Sequence, residues 1–228
     1  MAKKVIKKKK LRLLPFLIFI IVIAIIAFTC LFILDTKVKN IIITGNEVLS
    51  DDEIIDLAGL TNYPSFYKTL NLTMKNNISE NPLIKNVDIN RSFYHVIEIN
   101  VDEYEILYKR EDNGKYVLEN KKEITLDEEI PYTIPRLINE IPKNKLDSFI
   151  KYFKRIDLSI REKISEINYV PNEFDKDRFL LYMDDGNSVY MTITKFERLN
   201  YYNEVLPQLD GRKGILYLDS GNHFQIME

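Results

Sequence analysis

The feature that most constrains this chain is the stretch Leu13 to Leu34. No charged side chain stands between Arg12 and Asp35, and nearly every residue there is Leu, Ile, Val, Phe or Ala. About 20 such residues, each rising 1.5 Å in a helix, match a hydrocarbon layer of roughly 30 Å. Lipid offers the backbone no hydrogen-bonding partner, so a run of this kind crosses as a helix. Pro15 falls in the first turn, where its missing N–H costs nothing. Lys3, Lys4, Lys7, Lys8, Lys9, Lys10 and Arg12 precede the run with no acid among them. A basic flank of this sort stays on the cytoplasmic side, so the reading is a cytoplasmic tail (1–12), a transmembrane helix (13–34) and an outer part beginning at Asp35. A cleaved signal peptide would have a shorter apolar middle and a small-x-small site, and Thr36-Lys37-Val38 does not supply one. Cys30 as a lipidated cysteine would want small residues before it, where Phe28-Thr29 stand. It is the only cysteine, so the outer part folds without an internal disulfide.

Charge narrows the function. Setting the seven basic tail residues aside leaves 25 basic against 34 acidic side chains, a net charge of −9. Nucleic-acid binding needs a basic face and is not expected.

The outer part reads as two units in an α+β chain. In the first, Val38–Thr44 is a β-branched strand closing on Gly45-Asn46. Ser50 and Glu53, three apart, form a capping box that opens a short helix ended by Gly59. A second helix is predicted over 69–79 with Leu70, Leu72, Met74 and Ile78 buried, and Asn81-Pro82 stops it. Strands over 85–91 and 96–101 follow; in the latter Ile97, Ile99 and Val101 alternate with polar residues. The predicted order is β-α-α-β-β.

In the second unit, strands over 105–109 and 115–119 flank Asp112-Asn113-Gly114, a hairpin signal. The stretch 124–138 reads as irregular and carries the acidic run Asp127-Glu128-Glu129. An amphipathic helix is predicted over 143–158, with Leu146, Phe149, Ile150, Phe153 and Ile156 on one face. Strands over 164–170, 179–183 and 188–193 include a second hairpin around Asp184-Asp185-Gly186-Asn187. A helix is predicted over 196–209, and strands over 214–219 and 223–226 close the sequence.

Several residue runs resemble a known family. Val38-Lys39-Asn40-Ile41-Ile42-Ile43-Thr44-Gly45-Asn46, then Leu49-Ser50-x-x-Glu53, resembles the opening of a POTRA (polypeptide-transport-associated) domain. So do Asn81-Pro82-Leu83-Ile84-Lys85-Asn86-Val87, Arg91 and the alternating strand ending in Glu103. A POTRA domain placed directly after one spanning helix and a basic tail is similar to the FtsQ/DivIB family of bacterial cell-division proteins. Leu216-x-x-Asp219-Ser220-Gly221 resembles the family's terminal strand motif. The chain departs from the family at Phe93-Tyr94, where a proline is usual, at Tyr104, where a basic residue is frequent, and at Pro64-Ser65, where a glycine is common.

The resemblance implies a POTRA domain over 35–103 and a β domain with a largely antiparallel sheet over 104–228. It also implies a septal membrane protein that binds FtsL-like and FtsB/DivIC-like partners and other divisome components to help control septal peptidoglycan synthesis. Matched position by position, it points to Leu218, Asp219, Ser220, Gly221, Phe224 and Ile226 as partner-binding. Independently of family, a sheet finishing on a lightly charged strand offers unpaired N–H and C=O groups to another chain. A strand puts alternate residues on opposite faces, so about half of these side chains are expected to fill the core.

No constellation for catalysis is visible. His95 and His223 are far apart and lie in no ligand-spaced motif, and no Gly-rich phosphate loop is present. Asp51-Asp52-Glu53 reads as dipole-complementing acids at a helix start rather than a metal site. The expectation is a non-enzymatic scaffold without cofactor. The rivals are a POTRA-type protein transport or envelope assembly factor, which normally carries several POTRA units or a barrel, and a membrane-anchored cell-wall enzyme.

Overall fold

The computed structural model describes residues 13–126 and 130–227. The basic tail over 1–12 and the acidic run 127–129 lie outside the described residues. The apolar run forms one helix, α1, Leu13–Leu34, whose side chains are exposed throughout the described stretch from Leu14. It is the one helix, among the described residues, long and apolar enough to cross a membrane.

Two compact units follow from the chain's contacts. The first takes residues up to Asn81 together with Asn86–Val101, and the second takes Pro82–Lys85 and Asp102 onward. In the first, β1 (Asn40–Thr44), α2 (Asp51–Leu57), α3 (Asn71–Ser79), β2 (Ile84–Ser92) and β3 (Val96–Glu103) reproduce the predicted β-α-α-β-β order. The sheet order is β1-β3-β2, with β1 parallel to β3 and Asn40 opposite Val96 through Thr44 opposite Asn100. Both arms of the capping box are present: the Glu53 amide donates to Ser50 Oγ (3.3 Å), and the Ser50 amide donates to Glu53 Oε2 (2.8 Å). They fix the start of a helix that seats Ile54 in the core. Gly45 is required at the end of β1. It holds φ +85°, and a Cβ there would lie 2.1 Å from the Val101 carbonyl oxygen.

Met74 and Ile78 are buried as predicted, but Leu70 and Leu72 are exposed. Leu70 sits before the helix in extended backbone, and Leu72 lies about 200° around the helix from Met74, away from the buried stripe of Met74 and Ile78.

The second unit is a nine-stranded mixed sheet. Its strands are β4 (Ile106–Arg110), β5 (Tyr116–Leu118), β6 (Glu123–Ile124), β7 (Arg136–Leu137), β8 (Ile164–Tyr169), β9 (Arg178–Met183), β10 (Ser188–Thr192), β11 (Gly214–Tyr217) and β12 (His223–Ile226). Their order is β12-β11-β10-β9-β8-β7-β4-β5-β6. Antiparallel pairs dominate, with parallel pairing at β10–β11, β7–β8 and β4–β7. The stretch expected to be irregular therefore supplies β7 and the second residue of β6, both strands too brief to show a period.

One face of this sheet is covered. Helix α4 (Lys143–Phe153) buries Phe149, Ile150 and Phe153, and the short α5 (Leu158–Arg161) follows it. The helix predicted over 143–158 thus ends at Phe153, Ile156 turns into the core, and α5 begins only at Leu158. Phe149, Phe153, Phe179 and Phe196 form one aromatic cluster with ring centroids 5.1–6.3 Å apart. The predicted helix over 196–209 is instead a 3₁₀ segment (Ile193–Tyr201), one α turn (α6, Tyr202–Val205) and a second 3₁₀ turn (Leu206–Leu209). Ile193, Phe196, Leu199 and Tyr202 are buried at a strict spacing of three, which suits three residues per turn.

Candidate functional site

The sheet order leaves β12 at one end of the nine strands, so the lightly charged closing segment is an edge as expected. Strand β12 runs antiparallel to β11, with Gly214 opposite Ile226, Ile215 opposite Gln225, Leu216 opposite Phe224 and Tyr217 opposite His223. Just beyond it, the Met227 amide donates to the Lys213 carbonyl (3.0 Å). Antiparallel ladders alternate, so Gln225 and His223 also turn their main chain toward β11. The amides and carbonyls of Phe224 and Ile226 then point to the open side. A strand from another chain would find its hydrogen bonds there.

The strand predicted over 214–219 ends at Tyr217, and Leu218 to Gly221 form the connection to β12. Of the six residues singled out from the sequence, Phe224 and Ile226 are on the edge, while Leu218, Asp219, Ser220 and Gly221 are in the turn behind it. The Leu218 amide donates to the Tyr190 carbonyl (2.8 Å), which ties the turn to β10. Asp219 is turned inward. Its carboxylate accepts from Arg178 Nε (2.6 Å) and from the Ser220 amide (2.8 Å) and hydroxyl (3.1 Å). Its main-chain oxygen accepts from Lys195 Nζ (2.5 Å). Burial alone would raise the Asp219 carboxyl, but the Arg178 guanidinium and the Ser220 donors outweigh it and hold the group below the usual carboxylate range.

The two faces of the edge differ. On the covered face Phe224 packs half-buried against the main core, and its ring crosses Gly214. A Cβ on Gly214 would stand 2.7 Å from Phe224 Cζ and 2.1 Å from the Gln225 carbonyl oxygen, so glycine is required for β11 and β12 to approach. Beside them an open groove of about 620 Å³ runs between the edge and the 3₁₀ segment, lined by Leu199, Tyr202, Val205, Leu216, Leu218 and Phe224 among others. Ile226 is exposed at 47 % on the strand's outer end.

The opposite face carries a ladder that sequence reading missed. The Arg178 guanidinium lies 3.6 Å over the Tyr190 ring, Tyr190 stacks on Tyr217 at 5.3 Å, and Tyr217 stacks on His223 at 4.5 Å with planes 6° apart. The Tyr217 hydroxyl also donates to Gln225 Oε1 (3.1 Å). One continuous stack of flat groups thus crosses β9, β10, β11 and β12 and braces the edge strand. Tyr190, Tyr217 and His223 are each plain in the sequence, but the register that aligns them is not.

Among the described residues, no group of three or more His, Cys, Asp or Glu side chains is placed to hold a metal ion. Asp51, Asp52 and Glu53 occupy the first turn of α2. Asp185 accepts from the Asn187 amide (2.9 Å) and the Tyr202 hydroxyl (2.9 and 3.0 Å), closing the β9–β10 hairpin onto α6. Both are structural uses of acids.

Fold and site together define a class: an apolar helix, a POTRA unit and a mixed sheet that ends in an open, braced edge. Residues 36–104 match the family model for the FtsQ-type POTRA domain, and residues 107–220 match that for the C-terminal region of the cell division proteins FtsQ/DivIB. The chain belongs to the FtsQ/DivIB family of cell-division proteins. It is 33 % identical over 199 residues to the division protein DivIB of Bacillus subtilis (strain 168), covering 83 % of this chain and 74 % of that one. It is 30 % identical over 230 residues to DivIB of Listeria monocytogenes serovar 1/2a, covering 98 % and 85 %. A solved structure of the major extracytoplasmic domain of DivIB from Geobacillus stearothermophilus aligns with 48 % of this chain and 96 % of its own, at 24 % identity and a TM-score of 0.39.

Proposed function

We propose that this chain is a division-site scaffold anchored by α1, with the tail over 1–12 in the cytoplasm and residues 35–103 and 104–228 outside the bacterial membrane at the septum. It binds FtsL-like and FtsB/DivIC-like partners through the β12 edge and, with other divisome components, helps control septal peptidoglycan synthesis. Its action is stoichiometric, by strand addition, with no cofactor and no catalysed reaction. The observation that carries this reading is the open main chain of Phe224 and Ile226 beside an apolar groove. Phe224 and Leu218 would offer the groove its apolar rim, and Asp219, Ser220 and Gly221 would set the turn that aims the strand.

The edge makes a sharp test possible. Ile226→Pro removes an N–H that faces away from β11, which an edge strand tolerates. Co-purification of the FtsL/FtsB-like pair should weaken roughly tenfold or more, the effect of losing about 1.4 kcal/mol, while the fold persists. Phe224→Lys, or deletion after Gly221, should abolish it. Unchanged capture of the pair by a folded Ile226→Pro chain would remove the edge from the interface.

A further inference from the structure

The region around the exit of α1 carries a set of exposed rings that the β12 edge does not explain. The Ser65 hydroxyl donates to the carbonyl of Leu34, the last residue of α1, so the loop around it caps the helix terminus directly. The Phe66 amide donates to the Thr36 carbonyl (2.8 Å), and the Val38 amide donates to the Pro64 carbonyl (3.0 Å). The turn joining β2 to β3 is tied to the same spot: the Lys39 amide donates to the His95 carbonyl (2.9 Å), and the His95 ring stands edge-on to Phe66 at 5.1 Å. Everything on these two loops therefore lies within a few residues of where the apolar helix stops.

Both loops hold large side chains in the open. Phe93 is 99 % and Tyr94 79 % exposed at the β2–β3 turn, and Tyr63 and Tyr67 are exposed on the capping loop. Phe93 stands almost wholly in water among the described residues, and covering an exposed apolar ring of that size is favourable. Lys37 and Lys39 are exposed on the same segments, inside an outer part whose net charge is −9, and Lys68 pairs with Asp35 (3.6 Å) just after the helix. Three tyrosines with polar tips and one wholly apolar phenyl ring, set near lysines at the end of an apolar helix, have the chemistry of a bilayer–water boundary carrying anionic headgroups.

We propose that Phe93, Tyr94, Tyr63 and Tyr67 form a collar that sits in the headgroup layer of the leaflet at the C-terminal end of α1, with Lys37 and Lys39 facing anionic phosphates. The POTRA unit is thereby held down on the membrane rather than swinging from a tether. This inference rests on the reading of α1 as a spanning helix, and the test separates the two.

The chain has no tryptophan, so a single introduced indole reports without background. The full chain would be placed in nanodiscs of phosphatidylcholine and phosphatidylglycerol, with bromine either high on the acyl chains or deep in them. The F93W indole should emit blue-shifted and lose most of its emission to the shallow bromines. The I23W indole, near the middle of α1, should lose most of its emission to the deep ones. Adding K37E and K39E to F93W should reduce the shallow quenching in discs with phosphatidylglycerol but not in discs of phosphatidylcholine alone. A water-like, unquenched F93W beside a quenched I23W would overturn the collar while leaving the anchor intact, and would turn attention to a protein partner for these rings. An unquenched I23W would overturn the spanning helix and the collar with it.

Discussion

The Asp219 carboxylate lies between Arg178 and the Ser220 donors, with its side chain 7 % exposed. Replacing it with Asn leaves the half-buried guanidinium without its counter-charge, and the folded state should lose about 1–3 kcal/mol. Because the folded carboxyl titrates below its ordinary value of 3.8, the stability it confers is fully present above that pH and is lost as pH falls through the folded value. The gap in unfolding free energy between the parent chain and Asp219→Asn should therefore be flat from neutral pH to about 5 and narrow below about 4. A pH-independent gap would mean that charge is not what Asp219 contributes. At this scale the sequence was half legible. Leu218 and Phe224 could be read as apolar positions with mixed loyalties, and both are half-buried at the groove. That Asp219 serves Arg178, 41 positions earlier, depends on the β9–β10–β11 register, which no local pattern encodes.

Among the elements, those with a local chemical signature were readable and those defined by tertiary packing were not. The Ser50–Glu53 box announced α2, and both hydrogen bonds are there. Since α2 spans only seven residues, packing and capping hold it rather than propensity. Ser50→Ala should cost about 1 kcal/mol in denaturant unfolding, and an unchanged midpoint would show the cap to be idle. The Asp112-Asn113-Gly114 and Asp184–Asn187 turns likewise marked their hairpins. The segment over 193–209 was misread because its apolar residues fit either helix type when counted loosely. Their strict spacing of three, without the neighbouring fourth positions, was the available sign of a 3₁₀ conformation, and Pro207 in the last turn blocks any continuous α ladder.

For the whole molecule, the apolar run and the order of patterned segments were enough to foresee one long helix, a POTRA unit and a mixed α/β unit. A mixed, largely antiparallel sheet was foreseen, but not where its parallel joints fall, because β7 is two residues long and β10 meets β11 across an intervening helical segment. Under the proposed topology, protease added to intact protoplasts should digest the chain beyond Asp35 and spare the basic tail. Protection of the outer part would reverse the orientation read from the lysines. The parallel pairing of β1 with β3 has a mechanical consequence. The anchor enters at the start of β1, and the chain leaves toward the second unit from the far end of β3. Tension between bilayer and partner would then slide the two strands lengthwise and strain all the rungs from Asn40–Val96 to Thr44–Asn100 together, instead of peeling them apart singly. A molecule pulled by a constricting envelope would resist in its strongest direction.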